Sequence, residues 1–295
     1  MTTKFPSRGS GLPYALATYL IWGLFPLYFA ALHHVPPFEI VGWRVLFTIP
    51  FCFAVVSWRS QWALVREAVV SPRTLGILTA SALFIGANWL IYVWAVQSGH
   101  VLAASLGYYI NPLLNVLAGT LFLREKLSRL QWGAVGLATL GVIVLAWDAR
   151  EMLWISMSLA LCFCAYGLLR KLAPVEALPG LTVETLVLLV PGLVLIALQA
   201  ETEGLSLGAS VSSDVLIALS GVLTGLPLLL FAEAARRMDY STLGFVQYLS
   251  PTLVFILGLF VFREPIKATQ IVCFGLIWLA IAVFTLDLFQ RSRSR

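Results

Sequence analysis

Charged residues stand inside long apolar stretches of this sequence, where an ionised group carries a free-energy cost. Arg44 lies in EIVGWRVLF (residues 39–47), with Glu39 five positions before it. Placing arginine at the centre of a lipid bilayer costs about 2.5–3.5 kcal/mol on insertion scales. Two interpretations of Arg44 follow. Its side chain extends back to the outer surface of the membrane, or it faces an internal cavity and binds an anionic or carbonyl group of a ligand.

Arg44 needs a polar partner if it stays inside the membrane. Glu39 is five residues away, about 140° around a helix, so the two side chains point to different faces. We therefore expect a partner from another helix or from an outer loop. The outer loops offer the carboxylates of Glu151, Glu201 and Glu203.

Two further glutamates, Glu184 and Glu233, fall in apolar segments. A carboxylate inside a membrane is a candidate for proton coupling. Glu233 has Arg236 and Arg237 close by, however, and Glu184 begins its predicted helix near the inner surface. Ordinary ion pairing is therefore favoured over proton exchange. We predict that Glu39, Glu184 and Glu233 act in gating or in ion pairs.

Uncharged polar and aromatic residues in the same segments could line a ligand cavity. Asn88 in hydrocarbon needs a partner on another helix or on a ligand. Pro112 removes a backbone donor and so frees the carbonyl of Tyr108. Pro112 and its counterpart Pro251 are predicted hinges beside the cavity, and a purely hinge role for this region is the alternative. The predicted cavity residues, together with Arg44, are Trp22, Asn88, Trp89, Tyr92, Tyr108, Asn111, Tyr166, Gln247 and Tyr248.

Motifs of several well-known catalytic sites are absent from the sequence. It contains no HExxH, GxxxxGK[ST] or GxGxxG pattern and no Ser/His/Asp arrangement. The cysteines lie in apolar segments, and their one close pair is spaced C-x-C without histidine or carboxylate neighbours. These features predict no metal and no cofactor. The basic residues are scattered, which argues against a nucleic-acid partner and is typical of membrane topology signals.

The elements that must position these residues are membrane-spanning helices. The chain has 295 residues, of which 60% are hydrophobic and 11% charged, whereas a soluble domain carries about 25% charged residues. A helix needs about 20 apolar residues to cross the hydrocarbon core. Segments of that kind predict an all-α integral membrane protein with ten transmembrane helices, at 12–32, 38–57, 74–97, 102–123, 129–147, 152–170, 181–199, 214–235, 241–262 and 268–288.

The distribution of lysine and arginine predicts the orientation. Placing the N-terminus inside puts most basic residues in inward-facing segments, among them residues 58–73 with three arginines. The outward-facing segment 200–213 has acidic residues and no basic ones. Such a bias toward the cytoplasm predicts a multi-pass protein of the bacterial inner (plasma) membrane, with both termini cytoplasmic.

An internal repeat divides the chain into two halves. PLLNVLAGTLFLREKLSRLQWGAVGL, from Pro112, and PTLVFILGLFVFREPIKATQIVCFGL, from Pro251, share Pro, Leu, Gly, Arg-Glu, Gln and Gly-Leu in register. The predicted domains are residues 1–148 and 149–295, each of five helices. Because five is odd, the second half is inverted in the membrane, an architecture that recurs in secondary transporters. A stable symmetric bundle without transport is the alternative.

The two halves are not equivalent in their polar residues. Trp22 and Tyr166 occupy matching places and could stack a flat ligand. Glu184, in ETLVLLVPGL, is expected to match Glu39, but no arginine matches Arg44. The asymmetry favours Arg44 as a residue for outer-side ligand contact or gating.

The duplicated Gly…Arg-Glu units resemble EamA domains of the drug/metabolite transporter superfamily. The closer similarity is to the RarD group, whose name derives from chloramphenicol sensitivity. The matching stretches are IWGLFPLYF, VPPFEIVGWRVLF, GANWLIYVWAV, ASLGYYINPLLN, AYGLLRK and STLGFVQYLSPTL. The resemblance implies a ten-helix inner-membrane carrier with a central cavity between the halves. The family pattern implies a histidine directly before Arg44, where this sequence has Trp43. The absence of that histidine weakens the hypothesis of a proton relay at this position.

The sequence as a whole predicts a secondary transporter of a small organic metabolite or drug. We expect export by alternating access, driven by an ion gradient, such as that of protons, or by the gradient of the solute. The alternatives are a membrane-embedded enzyme and a non-transporting scaffold or receptor. An enzyme needs paired acid/base groups or a metal set at one depth, and the carboxylates in this sequence are isolated.

Overall fold

The chain is an all-α membrane protein in a computed structural model that describes residues 10–148, 150–263 and 267–293. The helices are α1 (Leu12–Gly23), α2 (Phe25–Ala31), α3 (Pro37–Trp58), α4 (Trp62–Val70), α5 (Pro72–Gln97), α6 (Val101–Leu121), α7 (Arg129–Asp148), α8 (Leu153–Leu172), α9 (Ala177–Thr202), α10 (Val211–Arg237), α11 (Tyr240–Gln247), α12 (Leu249–Phe260) and α13 (Ala268–Arg293). A single 3₁₀ turn, Arg150–Met152, precedes α8.

Ten segments of the described chain are long and apolar enough to cross a membrane, which confirms the predicted fold class. Two of these spans are made of two helices each, α1 with α2 and α11 with α12. The predicted seventh span begins at residue 181, whereas α9 begins at Ala177. The segment 58–73, expected to be a loop, contains the short helix α4, which buries Val65 and Ala68.

Prolines explain the two broken spans. Pro26 follows the break at Leu24, and Pro251 follows the break at Tyr248. Proline has no N–H and clashes with the carbonyl four residues earlier, so a helix tends to break just before it. At Pro112, by contrast, α6 continues without interruption. Both prolines stay predicted hinges, and of these two only Pro251 lies beside a helix break.

Capping residues set the starts of several long helices. Ser71 accepts a hydrogen bond from the backbone N–H of Thr74, with Pro72 in the first position of α5. Ser210 accepts one from the backbone N–H of Ser213 at the start of α10. Each serine satisfies a backbone donor that the first turn of a helix leaves unpaired.

Helices of opposite halves pack against their equivalents. Helix α3 lies along α9, α6 along α11, and α7 along α13. The contacts of α5 with α8 and of α1 with α10 are a further equivalent pair. The backbone follows the same repeat, because Arg124 and Arg263 both have a positive φ, of 57° and 53°, at the ends of equivalent spans. Two inverted five-helix repeats thus form one interlocked bundle.

Helices α3 and α10 approach closely at Gly221. A Cβ added there would overlap the carbonyl group of Phe47. The hydroxyl of Thr48 donates to the backbone carbonyl of Gly221 at 3.1 Å. The absence of a side chain at residue 221 therefore brings together two helices that both line the cavity described below.

Candidate functional site

A small cavity lies inside the membrane-spanning bundle, between helices of both repeats. Its walls come from α3 and α5 of the first half and from α8, α9 and α10 of the second. Most of its lining is apolar. The polar groups are one carboxylate, one phenol and three threonine hydroxyls. The lining residues are Val45, Thr48, Ile85, Trp89, Tyr166, Leu181, Glu184, Thr185, Leu188, Thr224 and Leu228.

Arg44 contacts the wall of this cavity. Its Nε donates a hydrogen bond to Oγ1 of Thr224 at 2.8 Å, and its guanidinium carbon lies 4.7 Å from the ring centroid of Trp89. Thr224 and Trp89 both line the cavity. The partner lies on another helix, as expected, since Thr224 belongs to α10, but within the described residues it is a threonine hydroxyl and not a carboxylate of an outer loop.

Aromatic rings surround the rest of the Arg44 guanidinium. Phe25 and Phe29 lie with their ring centroids 6.0 Å and 5.9 Å from its central carbon. A cation over such faces gains about 0.5–2 kcal/mol. In the described part of the chain, the two terminal nitrogens of the guanidinium donate to no protein group. Their N–H groups are therefore available to a ligand.

Tyr92 and Tyr108 stand on the same side as Arg44. Their rings meet edge to face with centroids 5.8 Å apart, and both lie close enough to Arg44 for electrostatic interaction. Tyr108 is 42% exposed. These two predicted cavity residues thus border Arg44, although neither is part of the cavity lining.

Trp22 and Tyr166 belong to one aromatic cluster around Phe231. The Tyr166 ring stacks on that of Phe231 at a centroid distance of 5.7 Å, and Trp22 lies 5.8 Å from the same ring. Phe231 thus contacts both rings that were expected to stack a flat ligand. Tyr166 lines the cavity and Trp22 does not. The Tyr166 hydroxyl is buried, with no hydrogen-bond partner among the described residues.

Glu184 forms the polar end of the cavity beside Arg170 of α8. Arg170 ends the predicted span 152–170, but α8 extends to Leu172 and Arg170 is only 1% exposed. Its Nε lies 3.6 Å from Oε1 of Glu184, and the Ser81 hydroxyl donates to the same oxygen. Glu184 stands two turns inside α9, not at its start, because the helix begins at Ala177.

Glu39 is fully buried and holds three donors. Its Oε1 accepts from the Trp43 indole N–H at 2.9 Å and from the Ser206 backbone N–H at 2.8 Å, and its Oε2 accepts from the Ser206 hydroxyl at 2.8 Å. In the second half, Glu176 at the start of α9 accepts from the Gln61 amide at 2.9 Å. Glu176 thus makes the contact in the second half that corresponds to that of Glu39, whereas Glu184, the expected match, lies two turns inside α9.

Glu233 pairs within its own helix. Its Oε2 lies 2.8 Å from Nη2 of Arg237, one turn further along α10. Both side chains are about one-fifth exposed. The predicted ion-pair interpretation describes this geometry, and Glu233 is not among the cavity lining residues.

The remaining predicted cavity residues lie in contacts between helices. Asn88 donates to the backbone carbonyl of Leu159 at 2.8 Å. Gln247 accepts from the Asn115 amide at 2.8 Å, where α11 packs on α6. These amides have partners on neighbouring helices, and neither Asn88 nor Gln247 is among the lining residues of this cavity.

Two more predicted cavity residues, Tyr248 and Asn111, are buried. The Tyr248 hydroxyl donates to the carbonyl of Tyr109 at 3.3 Å, and the Tyr248 side chain is fully buried. Asn111 is buried too, with no partner for its Oδ1 among the described residues. Neither residue, nor Pro112 or Pro251, lines the cavity.

Three contributors to the site escaped sequence reasoning. Thr224 and Ser81 are short polar residues without a charge, and no feature of the sequence distinguishes them from other membrane threonines and serines. Arg170 carried a signal, since it precedes Glu184 across a short loop that turns two helices back on each other. Within the described residues, no group of three or more His, Cys, Asp or Glu residues could hold a metal ion.

Comparison with known proteins gives consistent matches. The model of the EamA-like transporter family matches residues 9–147 and again residues 150–286. An uncharacterized transporter of Pseudomonas aeruginosa is 43% identical over 294 residues, 99% of this chain and 98% of the relative. Protein RarD of Escherichia coli is 40% identical over 284 residues, 96% of each chain. A solved crystal structure with 21% identity shares the fold at a TM-score of 0.73 over 95% of this chain and 99% of the other.

Proposed function

The chain belongs to the EamA-like transporter family, and we propose that it exports a small organic solute across the bacterial inner membrane by alternating access. The observation that carries this proposal is the cavity between the two repeats, with the Arg44 guanidinium at its wall. A carrier of this kind needs one internal site that both repeats enclose, so that movement of one repeat against the other can expose it to either side.

Arg44 is proposed as the residue that contacts a negatively charged or carbonyl group of the solute. Thr224 holds its Nε, and the terminal nitrogens remain free to form two parallel hydrogen bonds. Trp89, Tyr92 and Tyr108 surround the same region with aromatic rings, suited to an apolar or flat part of the solute. Tyr166 offers a hydroxyl from the other side of the cavity.

Two carboxylate contacts are proposed as gates. Glu39 ties the start of α3 to the segment between α9 and α10 through Ser206. Glu176 ties the start of α9 to the segment between α3 and α4 through Gln61. Because the repeats are inverted, these equivalent ties fall on opposite faces of the membrane. Opening one face requires release of one tie while the other persists.

The energy for transport is proposed to come from a proton gradient or from the gradient of the solute. The distribution of basic residues supports an orientation with both termini in the cytoplasm. The gates then face the outside at Glu39 and the cytoplasm at Glu176. The two repeats, residues 1–148 and 149–295, are the moving units of this scheme.

Reconstitution tests the proposal. Purified protein in liposomes is loaded with a bacterial metabolite extract, and efflux is followed by mass spectrometry with and without a pH gradient. The expected result is that one or a few solutes leave these liposomes faster than they leave protein-free liposomes loaded with the same extract. Equal efflux of every solute from both kinds of vesicle, at either pH condition, contradicts the proposed function.

A further inference from the structure

We propose that Glu184 is the site where this transporter binds and releases a proton, and that the Arg170 guanidinium is the cation that takes the place of the proton on its carboxylate. This inference rests on the proposed transport function, because a proton site matters to a carrier only if it changes during the transport cycle. The ligand is a proton, and no ion of another kind is required.

The pair lies entirely within the bundle. Arg170 and Glu184 are 1% and 2% exposed, and their closest atoms, Nε and Oε1, are 3.6 Å apart. That separation is an ion pair without a hydrogen bond. Removing two charges from water costs several kcal/mol for each, and their attraction offsets this cost only with close geometry and further hydrogen bonds. At this separation, the attraction between the two charges offsets only part of the cost of removing them from water.

Several polar atoms of the pair have no hydrogen-bond partner in the part of the chain that the structure describes. These are Nε and Nη1 of Arg170 and Oε2 of Glu184. The one hydrogen bond of the guanidinium goes from Nη2 to the carbonyl of Ala177, at 2.9 Å. A purely structural ion pair in a protein interior normally has its remaining donors and acceptors satisfied. An unsatisfied carboxylate oxygen instead leaves a position where a proton can bind.

The carboxylate of Glu184 borders the cavity. Glu184 lines it together with Tyr166, whose buried hydroxyl also lacks a partner among the described residues. Water or a solute in the cavity can therefore deliver a proton to Glu184. Arg170 does not line the cavity, so it acts from behind the carboxylate.

The other groups that face Glu184 leave it as the one acid of this cluster. Helix α8 contributes Tyr166 and Arg170, α5 contributes the Ser81 hydroxyl, and α3 contributes the Cys52 thiol. The α10 wall of the cavity contributes Thr224, which is occupied by Arg44. Among these described neighbours, Glu184 carries the carboxyl group, and the guanidinium of Arg170 stays protonated.

The fold makes specific room for Arg170. A Cβ added at Gly180 on α9 would overlap its guanidinium. Gly180 lies one helical turn before Glu184, so the absence of a side chain lets the cation pass across the α9 backbone to the carboxylate. An arginine that served only as a signal for membrane orientation would need no such space.

Protonation of Glu184 would alter contacts among three helices that line the cavity. The charged carboxylate holds Arg170 on α8 and Ser81 on α5. A neutral carboxyl group attracts the guanidinium far less and leaves its positive charge without a counter-ion. The balance between α5, α8 and α9 therefore changes with the proton, which connects proton binding to the shape of the cavity.

Infrared difference spectroscopy on lipid-reconstituted protein tests the site without any transported solute. The probe is the proton alone, and the measured quantity is the C=O stretching band of a protonated carboxyl group during a pH titration. We expect a titrating band from a buried carboxyl group in the wild type. Glu184→Gln loses this band, whereas Glu67→Gln, at an exposed residue of α4, keeps it. An identical titration in the wild type and Glu184→Gln overturns the proposal.

Two further variants separate the proton site from a general loss of structure. In Arg170→Gln, which keeps Glu184 but removes the competing cation, the band remains and the pH at which it changes moves. Gly180→Ala, which displaces the same guanidinium, moves it too. If neither variant moves the titration, Arg170 is not the group that exchanges with the proton, and that part of the proposal is wrong.

A transport measurement distinguishes failure of this inference from failure of the proposed function. In the liposomes loaded with metabolite extract, Glu184→Gln is expected to lose the effect of the pH gradient on solute efflux. Solute efflux that responds equally to pH in wild type and variant refutes the proton site and leaves transport standing. A Glu184-dependent infrared band without any solute efflux supports the proton site and refutes transport.

Discussion

Glu39 and Ser206 are joined by two hydrogen bonds, one to the backbone N–H and one to the hydroxyl of the serine, each 2.8 Å long. The residues are separated along the chain by six spans and belong to different repeats. Glu39 also orders its own helix through the Trp43 indole. One fully buried carboxylate thus connects the beginning of α3 with the segment that leads into α10.

Replacing Glu39 by alanine is expected to free this segment. The backbone N–H of Ser206 and the Trp43 indole lose their acceptor, which costs about 1–3 kcal/mol for a buried group. Hydrogen exchange at the Ser206 amide should become faster and the melting temperature in detergent should fall. Glu201→Ala, at an exposed position of α9, serves as the control and should change neither. Unchanged exchange at Ser206 in Glu39→Ala would rule out the tie.

Replacing Arg44 is expected to reduce solute transport. A hydrogen bond to a charged group contributes about 1.5–3 kcal/mol, so Arg44→Ala should lower the transport rate about ten- to hundredfold in the liposome assay. Arg44→Lys should restore little, because an ammonium group cannot form two parallel hydrogen bonds. Arg59→Ala, at an exposed residue after α3, is the matched control. Full activity of Arg44→Ala contradicts a solute-binding role.

Adding a methyl group at Gly221 is expected to separate α3 from α10. The new Cβ would overlap the Phe47 carbonyl, and such overpacking costs about 1–3 kcal/mol. Gly221→Ala should therefore melt at a lower temperature than the wild type. Gly76→Ala in α5 adds the same group where no atom lies within 4 Å, and it should not lower the melting temperature. Equal melting of both variants would show that the helices can adjust without cost.

Gln247 and Asn115 are expected to be energetically coupled. Their side chains share a buried hydrogen bond of 2.8 Å between α11 and α6. Such bonds between membrane helices contribute about 0.6–2 kcal/mol. In a double-mutant cycle on the free energy of unfolding, with leucine at each position, the two single changes should not add up. Simple additivity would show that Gln247 does not stabilise the bundle through Asn115, and would return it to the candidates for solute contact.

The ten spans could be predicted because their signal is a property of length and apolar content. The backbone of a membrane segment must satisfy its hydrogen bonds internally, which leaves a helix as the solution for each apolar stretch. The ends of the spans were less well determined. Arg170 is the last residue of the predicted span 152–170, where a positive charge normally marks the inner surface, and the buried partner that holds it inside the bundle, Glu184, lies on the next helix.

The candidate site depended on distances that no sequence pattern contains. Arg44 and Trp89 were identified as unusual for their surroundings, and they do meet, 4.7 Å apart. Gln247 and Asn88 were equally unusual, but their partners on neighbouring helices satisfy them. A polar residue in an apolar helix needs a partner in either case, and only the packing of the helices determines whether that partner is protein or ligand.

The packing of α3, α6 and α7 against α9, α11 and α13 also has a consequence for the insertion and assembly of the protein during its synthesis. During synthesis the first repeat enters the bilayer before its counterparts have left the ribosome. The faces that these helices later bury must then contact lipid or the insertion machinery. The helices of the first repeat are therefore inserted before they can pack against the second repeat. Their packing is complete only after the C-terminal helix has been inserted. A truncated chain leaves such an unassembled half in the membrane. There its unpacked faces are accessible to membrane proteases.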